Sequence, residues 1–88
     1  MISLVTEEKI LTAPAAIKVW ADGRTVYAEL RDRRIVGFPA DRFKILKEAS
    51  NEQLKRVELC REGLAMRWKE INEEISVPQI LEGNFQLP

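Results

Sequence analysis

The stretch from Ser50 to Gly83 constrains this chain more than any other, because the hairpin inside it can be registered by counting. Gly63 supplies the positive φ that a tight two-residue turn needs, so Glu62-Gly63 is taken as the tip. Cys60 then faces Ala65, Leu59 faces Met66, Glu58 faces Arg67 and Val57 faces Trp68. Val57, Leu59, Met66 and Trp68, with Leu64, fall on one side; the other carries a Glu58–Arg67 pair and the small pair Cys60 and Ala65. A slip of one residue would put Trp68 and Leu59 in water and the charges inside. The apolar pattern therefore sets the pairing.

Two short helices flank this hairpin, marked by their caps. Ser50 with Gln53, and Ser76 with Gln79, have the capping-box spacing, in which each side chain satisfies an otherwise orphaned backbone N–H. Pro78 falls in the first turn of the second helix, where a missing N–H costs nothing. Gly83 stands where that helix can close in the left-handed conformation. Between hairpin and helix, Glu70, Asn72, Glu73 and Glu74 predict an acidic loop.

Towards the N-terminus, Ile2–Val5 is compatible with a strand or an arm, and Pro14 argues against a helix through Thr6–Ala16. From Ile17 the alternation is clear: IKVWA, Asp22-Gly23, then RTVYAEL predicts a second hairpin. A turn at Asp22-Gly23 pairs Val19 with Val26 and Ile17 with Ala28 on one side. Trp20 then faces Thr25, and Lys18 faces Tyr27, on the other. A further turn at Asp32-Arg33 returns the chain as RIVGFP, with Leu30 facing Ile35 and Ala28 facing Gly37, and Pro39 ends the strand. From Ala40 to Ala49, Phe43, Leu46 and Ala49 recur at helical spacing, with Ile45 widening the stripe.

These elements predict an α+β fold. An antiparallel sheet of about five strands, a three-stranded meander plus a hairpin, is covered on one face by one longer and two short helices. The chain is expected to be one domain, with an N-terminal arm or strand (1–16), a core (17–83) and a tail (84–88). The single cysteine, Cys60, excludes an internal disulfide and favours a reducing compartment. No run near Met1 is apolar enough for a signal or a membrane span, so a cytoplasmic location with no membrane contact is expected.

The commonest catalytic designs are absent. There is no histidine, no glycine-rich phosphate loop and no Cys/His cluster, so no catalytic residue, metal or cofactor is expected. Net charge is zero, but residues 31–61 carry nine bases against five acids, while residues 62–88 carry two against five. The first group includes Arg31, Arg33, Arg34, Arg42, Lys44 and Lys47, a face that could take phosphate with Phe38 stacking nearby; Asp32, Asp41 and Glu48 dilute it, and a solvated face is the plainer reading. Glu70, Glu73 and Glu74 suit a cation or a basic partner, or more simply complement the helix opening at Ser76. Trp68 is better placed as core than as a binding anchor. Trp20 and Tyr27, opposite the Val19/Val26 side, are either roofed by a helix or form an aromatic contact patch.

The segment Leu30–Gly83 resembles the small bacterial family catalogued as domain of unknown function 2442. The resemblance lies in the order of Arg34–Pro39, Ala49-Ser50 with Glu52-Gln53, Gly63 with Met66-Arg67-Trp68, Glu73-Glu74, Ile75-Ser76-Val77 and Leu81-Glu82-Gly83. The chain departs from the family pattern at Arg33, where glycine is usual, at Lys69, often proline, and at Arg67, commonly histidine. The resemblance implies a small α+β fold and a gene beside another small uncharacterised protein, as in toxin–antitoxin-like pairs. It also implies relatives carrying a helix-turn-helix domain after this module, for which this chain ends too soon. The expected function is a non-catalytic interaction module, the antitoxin-like or regulatory half of a two-protein system. Its candidate surface is Trp20, Tyr27, Arg34, Arg42, Trp68, Glu73 and Glu74, and its partner a small neighbouring-gene product or a second copy paired through a free sheet edge. The alternative is nucleic-acid binding through the 31–47 face.

Overall fold

The computed structural model describes residues 15–83, so the expectations for Ile2–Val5, Thr6–Pro14 and the tail 84–88 lie outside it. The architecture is α+β, with two three-stranded antiparallel sheets where one five-stranded sheet was expected. The first is the meander β1 (Ala16–Asp22), β2 (Thr25–Leu30) and β3 (Ile35–Pro39). A 3₁₀ turn (Ala40–Arg42) and the short helices α1 (Lys44–Glu48) and α2 (Asn51–Leu54) lead to the second sheet. That sheet is β4 (Glu58–Cys60), β5 (Ala65–Trp68) and β6 (Glu73–Ser76), and α3 (Val77–Glu82) follows.

The meander pairs differently from the sequence expectation in three places. Gly23 has φ +61 while Arg24 does not adopt positive φ. The glycine therefore takes the first central position of the turn, as in type II′ hairpins, and Asp22 pairs with Thr25. Val19 opposes Ala28, Trp20 opposes Tyr27 and Ala21 opposes Val26. This is a shift of two residues, so every side chain keeps its expected face. A bulge at Ile17 breaks that parity, placing Ala16 opposite Leu30 on the core side and leaving Ile17 exposed.

The third departure is at the β2–β3 turn. Arg33 takes φ +76, Leu30 N–H donates to the Arg34 carbonyl (2.8 Å) and Arg33 N–H donates to the Leu30 carbonyl (2.9 Å). This is a three-residue loop closed by a left-handed residue, one longer than the turn expected. The extra residue moves the pairing by one, to Ala28–Val36, Tyr27–Gly37 and Val26–Phe38. Phe38 consequently points into the core, where Gly37 was expected opposite Ala28. Gly37 lies instead under the Tyr27 ring; a Cβ there would stand 2.9 Å from two ring carbons.

The expected ten-residue helix is broken. Phe43 is extended (φ −119, ψ 132) and separates the 3₁₀ turn from α1, which ends at Glu48. Burial explains the break: Phe43 is fully buried and meets the Phe38 ring edge-on at 5.4 Å, while Ile45 on the expected stripe faces solvent. Arg24 clamps the segment from the β1–β2 turn. Its guanidinium donates to the carbonyls of Ala49 (2.7 Å) and Leu46 (3.0 Å) and to the Asp41 carboxylate (2.8 Å). Both carbonyls lie at the C-terminal end of a short helix, where the Leu46 carbonyl also accepts from the Ala49 N–H (3.1 Å).

The second hairpin has the register expected of it: Glu58–Arg67, Leu59–Met66 and Cys60–Ala65. Its tip is a 3₁₀ turn over Arg61–Gly63 in which all three residues have positive φ, and Leu64 is exposed where it was expected on the apolar side. The predicted acidic loop is mostly strand: a 3₁₀ turn over Lys69–Ile71 and a left-handed Asn72 reverse the chain, and β6 pairs Arg67 with Glu74 and Met66 with Ile75. Both caps form. Ser50 and Gln53 make the full reciprocal box, the Ser76 hydroxyl accepts from Gln79 N–H (3.3 Å), and Gly83 closes α3 at φ +79.

One core joins the two sheets. Val26, Leu30, Phe38, Phe43, Leu46, Leu54, Met66, Trp68, Val77 and Ile80 belong to a single apolar cluster. The sheets also meet backbone to backbone at Gly63, where an added Cβ would stand 2.4 Å from the Ala16 carbonyl oxygen. That residue serves twice, in the turn and at the joint.

Candidate interaction surface

Alternation along β1 and β2 places Lys18, Trp20 and Asp22 beside Glu29, Tyr27 and Thr25, on the side away from the core. β3 extends these rows with Ile35, Gly37 and Pro39. At the centre the Trp20 and Tyr27 rings stack across the strands, 5.4 Å between centroids and 18° from parallel. The Lys18 ammonium lies 5.2 Å from the Trp20 ring centre, within cation–π range. Both rings are half-buried and neither joins the core cluster, while Lys18, Ile35, Gly37 and Pro39 around them are exposed. Charge on this face balances: Lys18 and Arg33 against Asp22 and Glu29, with Arg33 paired to Glu29 at 3.0 Å. The face is aromatic, open and neutral.

The other expected surface residues do not gather there. Trp68 is 1% exposed and its indole N–H donates to the Leu54 carbonyl (3.1 Å), so it is a core residue unavailable to a partner. Glu74 is ion-paired to Arg61, and Glu73 is half-buried on β6 with one carboxylate oxygen buried and unpartnered. Glu70 pairs with Arg56 and accepts from Gln53, and the Arg56 guanidinium chiefly holds its carboxyl below the usual range. Among the described residues, no cluster of acids, cysteine or histidine has the arrangement to hold a metal.

The basic region is exposed but partly neutralised. Arg34 donates to Asp32 (2.7 Å), whose carboxyl is lowered first by the Arg34 backbone N–H and then by its guanidinium. Arg42, Lys44 and Lys47 are exposed on the 3₁₀ turn and α1. Phe38, expected as a stacking residue, is buried and cannot serve one. Cys60 is half-buried, and burial first, then Glu74, raises its thiol, which keeps it protonated.

Two features were missed from the sequence. Arg24 opens the strand run RTVYAEL, and no local signal marks its reach to α1. A shallow apolar groove of about 370 Å³ lies between α1 and the β5–β6 turn, lined by Lys44, Ile45, Glu48, Ala49, Gln53 and Ile71. Only the exposure of Ile45, which a continuous helix would have hidden, could have hinted at it. No helix among the described residues is long and apolar enough to cross a membrane.

A family model described as "Protein of unknown function (DUF2442)" matches residues 16–86. The chain is similar to a crystal structure of a protein of unknown function from Rhodospirillum rubrum, with 28% identity and a TM-score of 0.78 over 82% of this chain and 89% of that one. It is also similar in fold to an uncharacterised protein from Chromobacterium violaceum solved by NMR, with 23% identity and a TM-score of 0.73 over 93% of this chain and 77% of that one. No curated protein matches.

Proposed function

This chain belongs to the DUF2442 family, and from that premise we propose that it is a non-catalytic protein-interaction module whose contact surface is the outer face of the β1–β3 sheet. The observation that carries the reading is the stacked Trp20–Tyr27 pair on an open, charge-balanced sheet. Tryptophan and tyrosine contribute large rigid contact areas and dominate interface energies, and a neutral surround suits a protein better than a polyanion. The intramolecular pairing of Arg33 and Arg34, together with the burial of Phe38, weighs against nucleic acid. The partner class is a small protein, the second member of a two-protein system in which this chain is the antitoxin-like or regulatory half.

The test is affinity capture from the native host with wild type and with the Trp20→Ala/Tyr27→Ala double variant, after circular dichroism shows both folded. A stoichiometric small protein held by wild type and released by the variant is the expected result. Capture unchanged by the variant would overturn the surface assignment. Salt-sensitive micromolar binding of DNA, with no protein captured, would favour the basic face instead.

A further inference from the structure

The outer edge of β3 presents an alternating row of main-chain donors and acceptors. Two hydrogen bonds fix which way its main chain points: Leu30 N–H to the Arg34 carbonyl (2.8 Å) at one end, and Ala40 N–H to the Arg24 carbonyl (2.8 Å) at the other. In an antiparallel ladder such residues alternate, so Val36 and Phe38 turn their polar groups to β2. Ile35, Gly37 and Pro39 therefore direct theirs outward. Among the described residues no strand pairs with that edge. Proline is tolerated there because its absent N–H falls on the outward side. Ile35, at the start of the strand, is 57% exposed, the most exposed large apolar residue among those described.

We infer that this edge takes β3 of a second copy, antiparallel about a two-fold axis at Gly37. Placing Gly37 opposite its own copy lets the two residues exchange both N–H···O bonds, with no side chain at the crossing. Ile35 then opposes Pro39 of the other copy. Each Ile35 N–H finds a proline carbonyl, and each proline needs no acceptor, so every outward donor is satisfied. The Ile35 side chain is covered by the proline ring. The same register sets Arg33 and Arg34 of one copy alongside the Ala40–Arg42 turn of the other. An unrelated strand would have to match a two-donor, three-acceptor edge, whereas a second copy matches it by symmetry. Two outer faces would join into one six-stranded surface carrying two Trp20–Tyr27 pairs. The inference stands independently of whether those pairs bind a partner.

Sedimentation of the full chain across a concentration series should show the mass rising from 10.1 kDa towards double. Ile35→Lys, at an exposed position, should remain monomeric and unfold at the thermal midpoint wild type shows at concentrations where it too is monomeric. Register is tested in a Cys60→Ala background by oxidising Ile35→Cys, Pro39→Cys and their equimolar mixture. The mixture should give a disulfide-linked dimer and neither variant alone should, because only the 35–39 pair lies within bridging distance. A wild type monomeric at every concentration, an Ile35→Lys protein that still dimerises, or equal cross-linking by the single variants would each overturn the pairing.

Discussion

The two sheets each have three antiparallel strands, yet they are held in register by different means. In the β4–β6 sheet, side chains alternate without interruption across β4 and β5, and counting from the glycine tip yields the pairing found. In the β1–β3 sheet, a bulge at Ile17 and a left-handed Arg33 each insert one residue, and the strands align only after both are included. The two tryptophans follow the same division. Trp68 sits beneath α2 with its N–H bonded to Leu54, whereas Trp20 lies on an open face supported by Tyr27 and Lys18. One sheet spends its tryptophan on the core and the other presents it.

The contrast is broken most directly by truncating the two rings. Trp68→Ala should cost about 4 kcal/mol in urea unfolding, since it removes a fully buried ring. Trp20→Ala should cost about 1 kcal/mol, the scale of a surface aromatic pair. Equal losses would mean that the outer face is structural. The glycine tips come next. Gly63→Ala should cost about 3 kcal/mol, because the left-handed backbone is joined by a clash with Ala16. Gly23→Ala, with nothing within 4 Å, should cost about 1 kcal/mol from backbone strain alone.

Arg33→Gly sharpens the comparison from the opposite direction. Relief of the left-handed conformation should outweigh loss of the exposed Glu29 pair and raise stability by about 0.5–1 kcal/mol in the same assay. No change would show that the turn carries no strain. The smallest effect is electrostatic. The folded Glu70 carboxyl titrates below its ordinary value of 4.5, so its contribution is complete above that value and is lost as pH falls through the folded one. An NMR titration should find the Glu70 midpoint higher in Arg56→Ala than in wild type. An unmoved midpoint would remove the Arg56 pairing as its cause.

Much of the local structure was legible because its causes lie within a few residues. The Ser50–Gln53 box and the Ser76 cap each depend on a side chain three residues from the group it satisfies, and the Gly83 closure on that residue's own left-handed backbone. The break at Phe43 was not legible, since helical spacing is shared by a continuous helix and by two short turns that bury the same residues. Glu73 and Glu74 are poor strand formers alone, so the acidic stretch reads as a loop; pairing with Arg67 and Trp68 makes it a strand. Trp20 and Tyr27 share the face that alternation assigns them, but oppose each other instead of Thr25 and Lys18, because the β1–β2 turn moves the pairing by two residues. Trp68, on the apolar side of its hairpin, is buried in the core.

By itself the sequence determined the α+β class, the faces of β2, β4 and β5 and the helix caps, all products of alternation and short-range hydrogen bonding. Tertiary structure alone decided where the extra residues at Ile17 and Arg33 are absorbed, how Arg24 caps a helix more than twenty residues away, and that Gly63 joins two sheets. Those choices depend on which arrangement closes a shared core without voids or orphaned carbonyls, a condition that no short stretch of the chain contains.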